Sequence, residues 1–173
     1  MINEKDMNNA RNAWGDGIIL ISKTFDEKGI EEATIIAKEI LQDLYAFEAG
    51  PILFKPTLSG SNQTFRSNLE GTLSYFVGNN VKYPMDNGFG IKSWNKFESK
   101  TSDISIEDDI AMWMGWVTLT DITGNILKVD KSLVYKKMSD GNLKIVLHHP
   151  CEHFAIHFLL LSYKSRNYLY WTK

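Results

Sequence analysis

Cysteine is almost absent: Cys151 is alone in 173 residues. That excludes an intrachain disulfide framework and any zinc site built from several thiolates, and it makes the cytosol the expected compartment. An excess of charge is lacking too. Nineteen basic residues stand against 21 acidic ones, so nothing draws the chain in bulk to nucleic acid or to an anionic bilayer. The longest apolar run, "FAIHFLLL", falls far short of the ~20 residues that span a membrane. The opening "MINEKDMNNARNAWGDG" has no apolar core of the kind a signal peptide needs, so export by that route is not expected. There is no internal repeat, no low-complexity stretch and no D-x-D-x-D run to gather divalent cations.

Aromatic residues, by contrast, are plentiful. Nine Phe, seven Tyr and five Trp predict a thick core or an aromatic-walled cavity. Met7, Ala10, Trp14, Ile18, Ile21 and Phe25 recur every three or four residues, as do Ala33, Ile36, Ala37, Ile40, Leu41 and Leu44. Each set is the stripe of an amphipathic helix. A third helix fits "TFRSNLEGTLSYFVG", between an extended "ILFKPT" and the loop "NNVKYPMDNG". From Phe89 the texture becomes β: "GIKSWNKFES", "DIAMWMGWVTLTD", "ILKVDKSLVYKKM" and "NLKIVLHH", the last three separated by the turns "DITGN" and "SDGN". Helices first and a meander after predict an α+β fold, with N-terminal helices on one face of a curved antiparallel sheet.

Strand "AMWMGWVTLT" is apolar on both faces, where a sheet with one wet face would alternate. A homodimer covering Met112, Met114 and Trp116 is the economical expectation.

The segments "AWGDGI", "GPILFKPT", "FRSNLEGTLSYFVG", "DNGFGIKSW" and "LKIVLHHP" carry a resemblance. The chain resembles the cone-shaped nuclear transport factor 2-like, or SnoaL-like, superfamily. Within it the chain is similar to a bacterial group near the association domain of calcium/calmodulin-dependent kinase. The resemblance implies a cystatin-like roll over about residues 1–153, with 154–173 as a C-terminal extension, and a pocket between helices and sheet. After the double histidine the family pattern has small hydroxyl residues and then ends. This chain has Pro150 and Cys151 there and continues to Lys173.

Strand alternation then divides the histidines. Leu143, Ile145, Leu147 and His149 share one side, and Lys144, Val146 and His148 the other. The apolar set should face the helices, which makes His149 the pocket base and sends His148 to the convex face and the dimer interface. Glu70 and Asp86 are the carboxylates to tune that base, with Glu48 and Asp130 behind them. Lys55 and Arg66 suit an anionic ligand group, and Trp14, Tyr45, Tyr75, Trp94 and Tyr135 suit aromatic walls. Adjacent His148 and His149 cannot share an ion across a pleat, and the pair His153/His157 has no third ligand, so no metal and no cofactor is expected. The expected function is small-ligand binding by a dimer. The alternatives are a metal-independent lyase, isomerase or hydrolase working through His149, or an oligomerisation module.

Overall fold

The computed structural model describes residues 1–57 and 63–151. Helix α1, Glu4–Lys28, opens on a capping box: Asp6 N donates to Asn3 Oδ1 (3.0 Å), and Asn3 N donates to Asp6 Oδ2 (3.1 Å). The orphan amides of its first turn are thereby satisfied. It buries Met7, Trp14, Ile18 and Ile21, the stripe read from the sequence. Gly29 stops it at φ 84°, a conformation natural to glycine, and α2, Ile30–Leu44, follows at once. Helix α3, Leu69–Val77, starts five residues later than the expected segment, because Asn68 takes the N-cap and accepts from Gly71 N (2.9 Å).

The strands are β1 (Leu53–Phe54), β2 (Trp94–Glu107), β3 (Ile110–Asp121), β4 (Ile126–Lys137) and β5 (Leu143–Cys151), and they form one sheet in the order β1-β5-β4-β3-β2. The meander is antiparallel as expected, but β1 joins the free edge of β5 in parallel, so the sheet is mixed. The β2–β3 pairing has two register shifts and β4–β5 has one. Such bulges bend a strand and increase its twist, which curves the sheet around the helices.

Two glycines set how closely the layers approach. A Cβ on Gly15 would fall 2.1 Å from the Phe97 ring of β2, and one on Gly17 would fall 2.8 Å from Ile40 of α2. No larger residue fits at Gly15 without displacing an aromatic ring. On β3, Ala111, Trp113, Gly115, Val117 and Leu119 face the core, while Met112 and Met114 look outward and stay exposed. Trp116 is half-buried on that outer face, with Lys128 Nζ 4.6 Å over its ring. Among the described residues, no helix is long and apolar enough to cross a membrane. The expected extension at 154–173 lies outside the described residues.

Candidate active site

The two histidines are reversed relative to the sequence expectation. Tyr135 pairs with Ile145, but its neighbour Val134 pairs with Leu147. One step along β4 therefore matches two along β5, and Val146 is the extra residue of a bulge. Beyond it the alternation changes parity. Leu143 and Ile145 obey the predicted facing; after the bulge His148 turns inward, 1% exposed, and His149 turns outward. His148 is thus removed from any convex interface. His149 lies instead in an outer groove of about 500 Å³ with Lys55, Phe65 and Leu147.

Inside the cone His148 is held on every side. Its ring stacks on Phe54 (centroids 4.6 Å apart, 8° between planes) and meets the edge of Trp14 at 5.5 Å. Nδ1 lies 2.8 Å from Tyr45 Oη, and Nε2 lies 2.8 Å from Lys131 Nζ. Tyr45 Oη also accepts from Trp14 Nε1 at 3.1 Å, and Lys131 Nζ sits 4.5 Å over the Trp14 ring. Helix α1 supplies Trp14, the C-terminus of α2 supplies Tyr45, and β1, β4 and β5 supply Phe54, Lys131 and His148. The chain thus brings a histidine, a lysine and a tyrosine together where water is excluded.

Burial decides their charges. Lys131 is 2% exposed, and desolvation of its ammonium outweighs the nearby charge of Asp130, which brings its pKa down to about 7. Desolvation, then the charges of Lys131 and His149, hold His148 well below the usual imidazole range, so it is neutral at pH 7. Burial pushes the Tyr45 phenol far up, so its hydroxyl keeps its proton. An amine that is half free base at neutral pH, bonded to a neutral imidazole, has the tuning of a general base.

The other predicted residues fall into separate environments. Tyr75 packs edge-on against Phe54 at 5.5 Å, one ring away from His148. Trp94 belongs to the core and donates through Nε1 to Phe89 O (2.7 Å). Asp86 does not meet a histidine: it forms a buried ion pair with Arg66 at 2.7 Å and accepts from Ser74 Oγ at 2.8 Å. Both partners of that pair are buried, and the Arg66 guanidinium lies over the Tyr83 ring. Glu70 stands on the exposed first turn of α3 and pairs with Lys82 at 2.9 Å. Glu48 pairs with Lys144. Tyr135 is buried with no hydrogen-bond partner for Oη among the described residues. His153 and His157 lie outside the described residues. Among those described, no group of three or more His, Cys, Asp or Glu could hold a metal ion.

Lys131 and Phe54 were missed by the sequence reading. A signal for Lys131 was present: alternation along β4 puts it on one face with Val129, Leu133 and Tyr135, a lysine in an otherwise apolar register. For Phe54 there was none, since a two-residue parallel edge strand leaves no periodic trace.

Comparison with known proteins places the chain beside a family with a named activity. A family model described as metal-independent carbonic anhydrase matches residues 5–151. A metal-independent carbonic anhydrase from Nostoc sp. (strain PCC 7120) is 41% identical over 148 residues, covering 86% of this chain and 72% of that one. The crystal structure of an iota-carbonic anhydrase from a cyanobacterium, complexed with bicarbonate, superimposes with a TM-score of 0.86 at 40% identity, covering 87% of this chain and 92% of that one. A protein of Xanthomonas campestris assigned as a calcium/calmodulin-dependent protein kinase II association domain shares the fold, with a TM-score of 0.54, 20% identity and coverage of 90% and 91%.

Proposed function

The chain belongs to the metal-independent carbonic anhydrase family, and from that premise we propose that it interconverts carbon dioxide and bicarbonate at the buried centre around His148. The observation that carries this reading is the buried Lys131–His148 contact, walled by Trp14 and Phe54. Carbon dioxide is small and apolar, and suits aromatic walls. In the hydration direction a water oxygen bonds to the carbon as one water O–H bond breaks, and the released proton binds the Lys131 amine. The products are bicarbonate and a lysyl ammonium, formed as an ion pair where low polarity makes their attraction large. Neutral His148 orients the amine, and Tyr45 and Trp14 fix the imidazole plane from the other side.

Stopped-flow hydration of carbon dioxide by protein stripped of metal with a strong chelator tests this. The rate per protein should equal that of untreated protein. A rate no faster than the uncatalysed reaction, or one restored only by added zinc, would overturn the reading.

A homodimer through the convex face is supported by the outward Met112 and Met114 and by a shallow groove of about 440 Å³ that they share with Ile104, Val134 and Leu147. Light scattering should give a dimer mass for the protein and a monomer mass for Met114→Glu. A monomer at micromolar concentration for the unmodified chain would end this proposal.

A further inference from the structure

A free amine that meets carbon dioxide in a dry site has a second reaction open to it besides accepting a proton. We propose that Lys131 is a carboxylation site: its Nζ adds reversibly to carbon dioxide to give a lysyl carbamate, and His148 takes the released proton. This inference rests on the carbonic anhydrase reading for the presence of carbon dioxide at the centre. The nucleophile and its proton acceptor are already in contact, 2.8 Å apart.

The surroundings of Nζ favour the neutral, nucleophilic amine. Among the described residues its one hydrogen bond is the contact with His148 Nε2, and the face of the Trp14 ring lies 4.5 Å away. An ammonium has three N–H donors to satisfy, and Lys131 is only 2% exposed to water. One ring nitrogen and one π face leave part of that capacity unmet, a cost that falls heavily on a buried cation and lightly on an uncharged amine. The pKa near 7 agrees: desolvation outweighs the neighbouring charge of Asp130. Desolvation of this kind is what makes a lysine nucleophilic toward a carbonyl carbon. An ammonium has no lone pair and cannot react.

The step also needs the right imidazole tautomer, and the site provides for it. Tyr45 Oη accepts from Trp14 Nε1 and lies 2.8 Å from His148 Nδ1. With its proton on Nδ1, the imidazole donates to the second lone pair of Tyr45 Oη, and bare Nε2 accepts an N–H from Nζ. The Nζ lone pair is then not engaged by the ring. That lone pair forms an N–C bond to carbon dioxide as one C=O π pair moves onto oxygen. An N–H bond of the same nitrogen breaks, and its proton joins Nε2. Carbon dioxide is the one reactant consumed. The products are a carbamate anion and an imidazolium, which donates through Nε2–H to the new carboxylate and through Nδ1–H to Tyr45. Both charges form together where low polarity makes their attraction large.

Water and Lys131 therefore compete for the same carbon. A carbamylated Lys131 has given up the lone pair that would accept the proton of hydration, so the centre limits itself as carbon dioxide accumulates.

The test is ¹³C NMR of the full chain carrying ¹⁵N-lysine, equilibrated with ¹³C-bicarbonate at mildly alkaline pH. A carboxyl resonance split by ¹⁵N should appear, which demonstrates the N–C bond, and it should be lost in Lys131→Met. Absence of a split resonance, or only split resonances that Lys131→Met retains, would overturn the proposal. An assignment that needs no variant is an Overhauser contact from the carbamate N–H to the Trp14 indole; contacts confined to exposed side chains would likewise overturn it. Steady-state hydration should fall about twofold or more below its maximum as carbon dioxide is raised further, and simple saturation would overturn the self-limitation. A chain that shows the Lys131 resonance without hydrating carbon dioxide would uphold the carboxylation and place the error in the proposed reaction. A chain that hydrates carbon dioxide without the resonance would overturn the carboxylation alone.

Discussion

Lys131→Met is expected to abolish carbon dioxide hydration and to stabilise the fold. Removing a general base costs about a hundred- to ten-thousandfold in rate, and kcat/KM is where that loss should be read. In the unmodified protein kcat/KM should rise with pH through about 7, as Lys131 becomes free amine. In the variant that inflection should vanish. The stability side follows from proton linkage. The unfolded lysine keeps its proton up to its ordinary pKa of 10.5, whereas the folded one releases it above about 7. Between those values the unfolded state binds more protons, so stability rises with pH there and the destabilisation is fullest at and below neutrality. At pH 7 Lys131 disfavours folding by roughly 4 kcal/mol. The variant leaves His148 Nε2 without its partner, which returns about 1–3 kcal/mol of that gain. A thermal midpoint several degrees higher than the parent's at pH 7, together with the lost rate, would identify a residue kept for chemistry at the expense of stability. A variant that is less stable, or one that still hydrates carbon dioxide with the same pH profile, would contradict both roles.

Asp86→Ala should give the largest loss of stability of the substitutions considered, without touching the centre. Its carboxylate and the Arg66 guanidinium are 3% and 1% exposed and 2.7 Å apart. Truncating the aspartate leaves Arg66 buried without its counter-charge, which costs about 3–5 kcal/mol, and Ser74 loses its acceptor as well. For a domain of this size that is a fall in thermal midpoint on the order of 10 °C. Replacing both partners, Arg66→Met with Asp86→Leu, should recover most of the loss, because no uncompensated charge remains. Activity per folded molecule should be preserved in the single variant. If kcat/KM collapsed while the protein stayed folded, Asp86 would have the catalytic role that its place in a family-like segment suggested.

Much of the fold was legible because it follows from local periodicity. Trp14, Ile18 and Ile21 on α1, and Ala33, Ala37 and Leu41 on α2, are buried as their spacing of three and four requires. Met112 and Met114 face outward as strict alternation requires. Trp14 and Tyr45, named for aromatic walls, both lie against the His148 ring. Where alternation was extended through β5, the reading inverted. A bulge at Val146 depends on how β4 and β5 pair, a contact between distant segments that leaves no mark in the period of either strand alone.

The division between sequence and tertiary structure falls at that residue. The sequence by itself determined the order of helices and of the meander strands and the core stripes, because each depends on neighbours within a few positions. Only the tertiary structure decided which histidine enters the cone. It also decided that Lys131 meets that histidine, and that Arg66 neutralises Asp86. Those outcomes depend on strand register and on desolvation, and both are set by residues far apart in the chain. A lysine becomes a base near neutrality only when several elements together remove the water around it.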